Sequence, residues 1–204
     1  MNRIKSSVSV LLVAVFTLLA SGCFLTGDVS AAFENAAKSY GIQKFDKRSE
    51  LIRETAKLTE EGSGYYVSKD EKEATQQSRS YFGSKVRDIE AAEYRYIAIR
   101  EKADKRMDTC SAFTITYNSK EDAADVYDTI KKGSGKNLES GEKGNYSYYI
   151  SVVNSATLTV RGIYLEGKNI TVIQALCAKG ETNAFAEHFF KKMNYISPME
   201  LVEN

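Results

Sequence analysis

The sequence predicts an α+β fold in which a mostly antiparallel sheet of about five strands has helices packed on one face and is preceded by N-terminal helices. Helix signals occupy the chain up to about residue 90, and from about Glu93 apolar residues alternate as they do in strands. Short turns join most of the strand-like runs, which favours antiparallel pairing with helices in a second layer. We therefore expect an N-terminal helical segment over 28–90 and an α+β core over 91–198.

Three helices are predicted in the 28–90 segment. Asp28 can cap the first helix, and Gly41 can end it. Ser68 and Glu71 have the spacing of a capping box at the start of the third. The run GSGYY, Gly62–Tyr66, predicts a break before that helix. The predicted helices are Asp28–Tyr40, Lys47–Glu61 and Ser68–Phe82.

The core is predicted from alternation and from a second capping box. In CSAFTITY, Thr114 and Thr116 face the side opposite to the apolar residues. Ser119 and Asp122 open the clearest helix of the chain. The four glycines of GSGKNLESGEKG, Gly133–Gly144, predict a mobile linker after it. The predicted strands are Tyr94–Ile99, Cys110–Tyr117, Tyr146–Val153, Thr157–Leu165 and Ile170–Cys177, and the last helix is Thr182–Asn194.

The first residues have the layout of an exported protein. Arg3 and Lys5 precede an apolar run, Val8–Ala20, and small residues follow it. This order is typical of a secretory signal peptide, and a run of about 13 apolar residues is shorter than the ~20 that a spanning helix needs. We expect residues 1–22 to be removed. A retained transmembrane anchor is the alternative.

The sequence LASGC, Leu19–Cys23, resembles the lipobox of bacterial lipoproteins, with Ala20 where Leu, Val or Ile is usual. The resemblance implies that Cys23 receives a diacylglycerol thioether and acyl chains such as palmitate, and that 23–27 form a short tether. Two or more acyl chains anchor a protein stably, so the implied location is the extracytoplasmic face of the cell membrane. The alternative is an ordinary signal peptide with a chance cysteine.

With Cys23 assigned to lipid, Cys110 and Cys177 remain as a pair. Export permits a disulfide between them, and the predicted sheet can place the start of one strand beside the end of the other. The bridge would close a loop of about 67 residues and contribute roughly 4 kcal/mol in the chain-entropy model. Two buried, reduced thiols are the alternative.

A second resemblance covers roughly residues 90–196. The succession FTITYNSKEDAADVYDTIKK, NYSYY and FFKKMNY resembles a group of small lipoproteins of unassigned function from anaerobic Gram-positive bacteria. The resemblance implies a fold and a location, and no activity. It also weighs against the disulfide, because such cells use disulfides sparingly.

Composition and motifs argue against several classes of function. The 28 basic and 27 acidic residues become 26 and 27 once residues 1–22 are removed, and this balance predicts no nucleic-acid partner. His188 is the only histidine and is expected to be solvated, which leaves no zinc site or Ser/His/Asp triad. Ser140 and Lys143 match S-x-x-K in a glycine-rich loop without its partner motifs. No catalytic residue, metal or cofactor is predicted.

Four carboxylates follow one another along the predicted central helix. Calcium needs oxygen ligands that converge, whereas a regular helix fans its side chains outward. A solvated helix face is therefore favoured over a calcium site for Glu121, Asp122, Asp125 and Asp128.

Tyrosine is the most suggestive residue, with thirteen copies and no tryptophan. In a strand, Tyr146 and Tyr148 point to one face and Tyr149 to the other, so at least one face can present rings to solvent. Exposed tyrosines are common at binding interfaces. The alternative is that tyrosine simply fits half-buried strands.

These observations predict a lipid-anchored extracytoplasmic binding module that recognises an envelope protein or a cell-wall component. Two alternatives stay open. Carboxylates with perturbed pKa values that converge in a deep pocket would favour a cell-envelope enzyme or its accessory subunit. A long apolar cavity between sheet and helices would favour a carrier of lipid or another small ligand.

Overall fold

The computed structural model describes residues 28–57, 61–82, 89–100, 107–154, 158–176 and 183–202. Its helices are α1 (Val29–Ser39), α2 (Arg48–Thr55), α3 (Glu71–Phe82), α4 (Lys120–Lys131), α5 (Ala184–Met193) and α6 (Pro198–Val202). Its strands are β1 (Gly62–Ser68), β2 (Ile89–Arg100), β3 (Met107–Tyr117), β4 (Lys136–Lys143), β5 (Tyr146–Asn154), β6 (Thr159–Glu166) and β7 (Asn169–Leu176). Within these ranges no helix combines the length and the apolar character that a membrane crossing requires.

The described strands form one sheet in the order β1-β2-β3-β7-β6-β5-β4. All six neighbouring pairs are antiparallel. The predicted antiparallel sheet is therefore found, but the prediction of about five strands is wrong because seven are present. The two additional strands, β1 and β4, are the two edges of the sheet.

Helices cover both faces of the sheet, so the prediction of helices on a single face is also wrong. On one face, called face A, α1 and α5 pack around Phe33, whose ring meets Phe185 and Phe189 edge-on at centroid distances of 5.4 and 5.2 Å. On the opposite face, called face B, a second core includes Leu51 of α2 and Tyr127 of α4. Because side chains alternate along each strand, strands such as β3, β6 and β7 contribute to both cores.

Strand β1 begins in the glycine-rich run that predicts a break. A Cβ atom at Gly64 would lie 2.4 Å from Leu51 Cδ1 and 2.5 Å from Phe45 Cε2. Glycine here lets α2 and the preceding loop approach the strand closely. The outer edge of β1 is also paired, since Tyr65 N donates to Gln43 O at 2.9 Å and Phe45 N donates to Tyr65 O at 2.8 Å.

Strand β4 occupies most of the predicted mobile linker. Most of its residues are exposed, so it shows no apolar alternation along the sequence. Gly141 lies opposite Tyr148, and a Cβ atom there would come within 3.1 Å of the tyrosine hydroxyl oxygen. Gly144 turns the chain from β4 into β5 with a φ of +61°, a conformation that favours glycine.

The predicted helices are present, with some different ends. Ser119 Oγ accepts a hydrogen bond from Asp122 N at 3.0 Å, as the predicted capping box requires. Helix α2 ends at Thr55, well before its predicted end. Helix α3 is capped by Asp70, whose Oδ1 accepts from the N–H two residues later at 2.8 Å. Ser68, the predicted cap, is the last residue of β1.

Candidate functional site

A polar cleft lies on face A beside the N-terminus of α1, and strand register builds its floor. Glu93, Thr114 and Thr171 are cross-strand neighbours on β2, β3 and β7. Thr116 and Asn169 form the next row, two residues along their strands and on the same face. The cleft has a volume of about 220 Å³. Its lining comprises Asp28, Val29, Ala91, Ala92, Glu93, Arg95, Thr114, Thr116, Glu166, Asn169, Thr171 and Tyr195.

Arg95 is the buried cation of this cleft, with 1% of its surface exposed. Its Nε donates to Ser30 Oγ at 2.8 Å, its Nη1 to Thr114 Oγ1 at 3.1 Å and its Nη2 to Glu93 Oε2 at 2.6 Å. Ser30 Oγ also donates to the Glu93 carboxylate. Burial lowers the pKa of Arg95, and the charge of Glu93 acts in the opposite direction. The guanidinium is therefore a fixed cation whose three nitrogens are all engaged.

Two further carboxylates stand at the rim of the cleft. Asp28 caps α1, with its Oδ1 accepting from Ser30 N at 3.0 Å. Glu166 accepts a hydrogen bond from Asn145 Nδ2. Burial raises the pKa of Glu166 above its ordinary value of 4.5, and the bond from Asn145 lowers it in part. Among the described residues, neither Asp28 nor Glu166 has an ion-pair partner.

The floor between these carboxylates is a network of hydroxyl and amide groups. Thr116 Oγ1 donates to Asn169 Oδ1 at 2.8 Å, which leaves the Asn169 amide nitrogen as a donor. The hydroxyl oxygens of Thr114 and Thr171 lie 3.3 Å apart. Burial raises the pKa of Tyr195, in the cleft wall, to about 12, so its phenol is neutral at pH 7. The arrangement can hydrogen-bond a small hydrophilic ligand.

Tyr146 and Tyr148 lie inside face A rather than on the surface. Each is 7% exposed, so these two rings are not presented to solvent, whereas Tyr149 is half-buried. Ile196 N donates to the Tyr146 hydroxyl at 3.1 Å, and the Tyr148 hydroxyl donates to Glu139 Oε1 at 2.6 Å. Tyr149 packs against the core of face B, on the opposite side as predicted. A binding role for these three tyrosines stays a prediction.

The structure describes one of the three cysteines, Cys110. Cys23 and Cys177, like the predicted signal peptide and tether over 1–27, lie outside the described residues. Cys110 is fully buried on β3. Strands β3 and β7 are neighbours, and Thr109 lies opposite Leu176, the last residue of β7. The lipid attachment and the disulfide stay predictions.

The other candidate groups form no site in the described ranges. Ser140 and Lys143 are exposed on β4. His188 is half-buried against the ring of Tyr40 at 5.6 Å, and its Nε2 is buried, so the expectation that it is solvated is wrong. Nowhere in the described ranges do three or more His, Cys, Asp or Glu side chains cluster to hold a metal ion. The four carboxylates of α4 are all exposed: Glu121, Asp122, Asp125 and Asp128.

Sequence reasoning did not select the charged residues of the cleft. A usable signal lies in β2, where Glu93 and Arg95 occupy alternate positions and therefore one face of the strand. Two opposite charges on the same face as Ile97, a core residue, indicate a buried ion pair. The predicted common face of Thr114 and Thr116 is confirmed, since both line the cleft.

Comparisons with known proteins add little. No protein-family model matches the chain. No curated protein matches it either. Among solved structures, it is similar to the extracellular domain of PknH from Mycobacterium tuberculosis, with 12% sequence identity, a TM-score of 0.39, and coverage of 72% of this chain and 91% of that one. A likeness at this score supports no inference about fold or function.

Proposed function

We propose that the protein is a lipid-anchored extracytoplasmic binding module and that its ligand site is the polar cleft on face A. The observation that carries this proposal is the ion pair of Arg95 with Glu93, joined at 2.6 Å on the floor of an open cleft. Burying a charged pair costs more than packing apolar residues of the same volume. A concave site with a few convergent polar groups is the usual form of a small-molecule site.

The proposed location is supported by the N-terminal sequence. The signal-like run before LASGC and the cysteine at its end favour export and lipid attachment at Cys23. Asp28 lines the cleft, and the five residues from Cys23 to it span at most about 17 Å. A lipidated protein would therefore hold the cleft close to the membrane surface, where an envelope component or a solute released from the cell wall is within reach.

A second candidate is a cell-envelope enzyme, and one observation favours it. Glu93 and Glu166 line the same cleft in different environments, because Glu93 pairs with Arg95 whereas burial raises the pKa of Glu166. A carboxyl group whose pKa is raised by burial can act as a general acid in catalysis. The polar lining gives no support to a carrier of an apolar lipid.

The anchor is tested by metabolic labelling with an alkyne analogue of palmitate in a bacterial host. We expect label on the wild type and on Cys177→Ser, the matched control, and none on Cys23→Ser. Label on Cys23→Ser contradicts lipid attachment at that residue.

The cleft is tested by amide chemical-shift mapping of the soluble chain from residue 24 onward with millimolar monosaccharides and amino acids. We expect the shifts to concentrate at Thr114, Thr116 and Asn169, which are floor residues. Thr116→Val, which removes one floor hydroxyl, should weaken binding several-fold, whereas Thr129→Val on the outer side of α4 should not. Shifts that map elsewhere, or none for the whole panel, overturn the proposed site. Turnover of a bound compound that Glu166→Gln abolishes would favour the enzyme.

A further inference from the structure

The charges around the cleft do not balance. Three carboxylates line it, those of Asp28, Glu93 and Glu166, and one guanidinium, that of Arg95. With all four groups ionised the lining carries a net charge of −2, that is, three negative charges and one positive. The nearest described external cation, Lys69, lies 3.7 Å from Glu93 Oε1 with a mostly exposed side chain. A surface ion pair of this kind contributes little in water.

The cleft is poorly suited to an anion, although it contains an arginine. All three nitrogens of Arg95 already donate to Ser30, Thr114 and Glu93. A carboxylate or phosphate ligand would have to displace one of these acceptors from a side chain that is 1% exposed. It would also face the negative charges of Asp28 and Glu166. The cleft therefore disfavours acids and phosphate esters.

A cationic group on the ligand would find partners that the protein leaves without a counter-ion. Asp28 Oδ1 accepts from the α1 backbone and Glu166 Oε1 accepts from Asn145, while the second oxygen of each carboxylate has no hydrogen bond to a described residue. An ammonium has three N–H donors and no acceptor, so it complements such oxygens. Glu166 is partly buried, which strengthens its attraction for a cation relative to the exposed Asp28.

The size and the floor of the cleft restrict the rest of the ligand. A volume of about 220 Å³ suits a ligand as small as a monosaccharide or an amino alcohol. The hydroxyl of Thr116 and the amide of Asn169 offer both donors and acceptors to ligand hydroxyls.

From these contacts we propose that the cleft selects a small hydroxylated ligand bearing a primary ammonium, an amino sugar being the type case. The inference rests on the proposed function, because it specifies the ligand class of the same site. Glu166 receives the ammonium, and Thr116 with Asn169 receives the hydroxyls. Arg95 does not contact the ligand as a charge partner; it is a positioning residue that orients Glu93 and Thr114 in the floor.

The test compares ligands that differ only at one group. Glucosamine, glucose and N-acetylglucosamine are titrated into the soluble chain at pH 7, with amide shifts and calorimetry as readouts. We expect glucosamine to bind about tenfold more tightly than glucose, and N-acetylglucosamine to lose that advantage because its nitrogen is neutral. Glu166→Gln should remove most of the tenfold preference, whereas Glu142→Gln, an exposed carboxylate outside the cleft lining, should keep it.

Different outcomes of this test would overturn the ammonium proposal and the proposed binding site. Equal binding of glucose and glucosamine in the cleft overturns the ammonium proposal and leaves the binding site in place. A preference for glucosamine that survives in both Glu166→Gln and Asp28→Asn also overturns it, provided that thermal melting shows both variants folded. Shifts from all three sugars that map outside the cleft overturn the proposed function itself.

Discussion

Two nearly buried arginines lie on opposite faces of the same sheet and are accommodated differently. Arg95 on face A is 1% exposed and has a carboxylate at 2.6 Å. Arg161 on face B is 6% exposed, and its Nε and Nη2 donate to the neutral Gln174 Oε1 at 3.1 and 2.8 Å. Its guanidinium also lies 4.9 Å from the ring of Tyr81. Burial lowers the pKa of both arginines. Arg95 forms an ion pair with Glu93, and both residues line the cleft.

This difference indicates which arginine belongs to a site. The Gln174 amide oxygen and the Tyr81 ring are among the contacts of Arg161, as suits a polar link within a core. The ion pair of Arg95 and Glu93 keeps a formal charge of each sign beside solvent-accessible space. An ion pair is seldom the most stable way to fill a core, so its presence here favours a functional role.

The strongest test of this comparison removes the counter-ion of Arg95. Glu93→Gln keeps the shape of the side chain but leaves a buried guanidinium without its carboxylate. We expect the free energy of unfolding to fall by roughly 3 kcal/mol, which urea denaturation measures. If the buried charge is the cause, adding Arg95→Met to Glu93→Gln should restore at least about 1 kcal/mol. A double variant less stable than Glu93→Gln would show that packing, rather than charge, dominates.

The corresponding change on face B should have a smaller effect. Gln174→Met has a similar volume and removes the acceptor of two hydrogen bonds from Arg161. We expect a loss of about 1.5 kcal/mol, because the lost partner is neutral and the Tyr81 ring still covers the guanidinium. The measurement is the same urea titration. A loss of stability equal to or greater than that of Glu93→Gln would contradict the proposed difference between the two arginines.

Local sequence patterns predict some helices and strands of this fold and miss others. Alternation in β3 predicts its two faces, and capping residues predict α1 and α4, because these signals are local. Strand β1 was missed because Gly64 serves a contact with Leu51 and Phe45 that is invisible in a local window. Strand β4 was missed because a polar edge strand has no apolar alternation to detect.

The cleft could be predicted only in part. The common face of Thr114 and Thr116 follows from alternation within one strand. Their approach to Thr171 depends on the pairing of β3 with β7, which joins residues 57 positions apart. No local pattern fixes that register. The exposure of the β5 tyrosines is also not predictable from the strand alone, because the burial of a strand face depends on the helices that pack against it.

The smallest of the expected effects concerns Glu166, the cleft carboxylate without a described cationic partner. Because burial raises its pKa, its contribution to stability is fully present below its unfolded value of about 4.5 and is lost as pH rises through the folded value. We therefore expect Glu166→Gln to be slightly more stable than the wild type at pH 7 and equal to it at pH 4. Urea midpoints at the two pH values give the comparison.

The same titration predicts the opposite trend for ligand binding. An ammonium favours ionised Glu166, so glucosamine affinity of the wild type should rise with pH from about 4.5 through the folded pKa, and glucose affinity should not. Tyr146 and Tyr195 interact with this carboxylate, and the charged groups that share the cleft lining with it also add to the profile: Asp28, Glu93 and Arg95. Glu166→Gln should flatten the glucosamine profile, since the two tyrosines stay neutral over this range. A profile that keeps its full slope in that variant would assign the ammonium to Asp28 or Glu93, and with it the selectivity of the cleft.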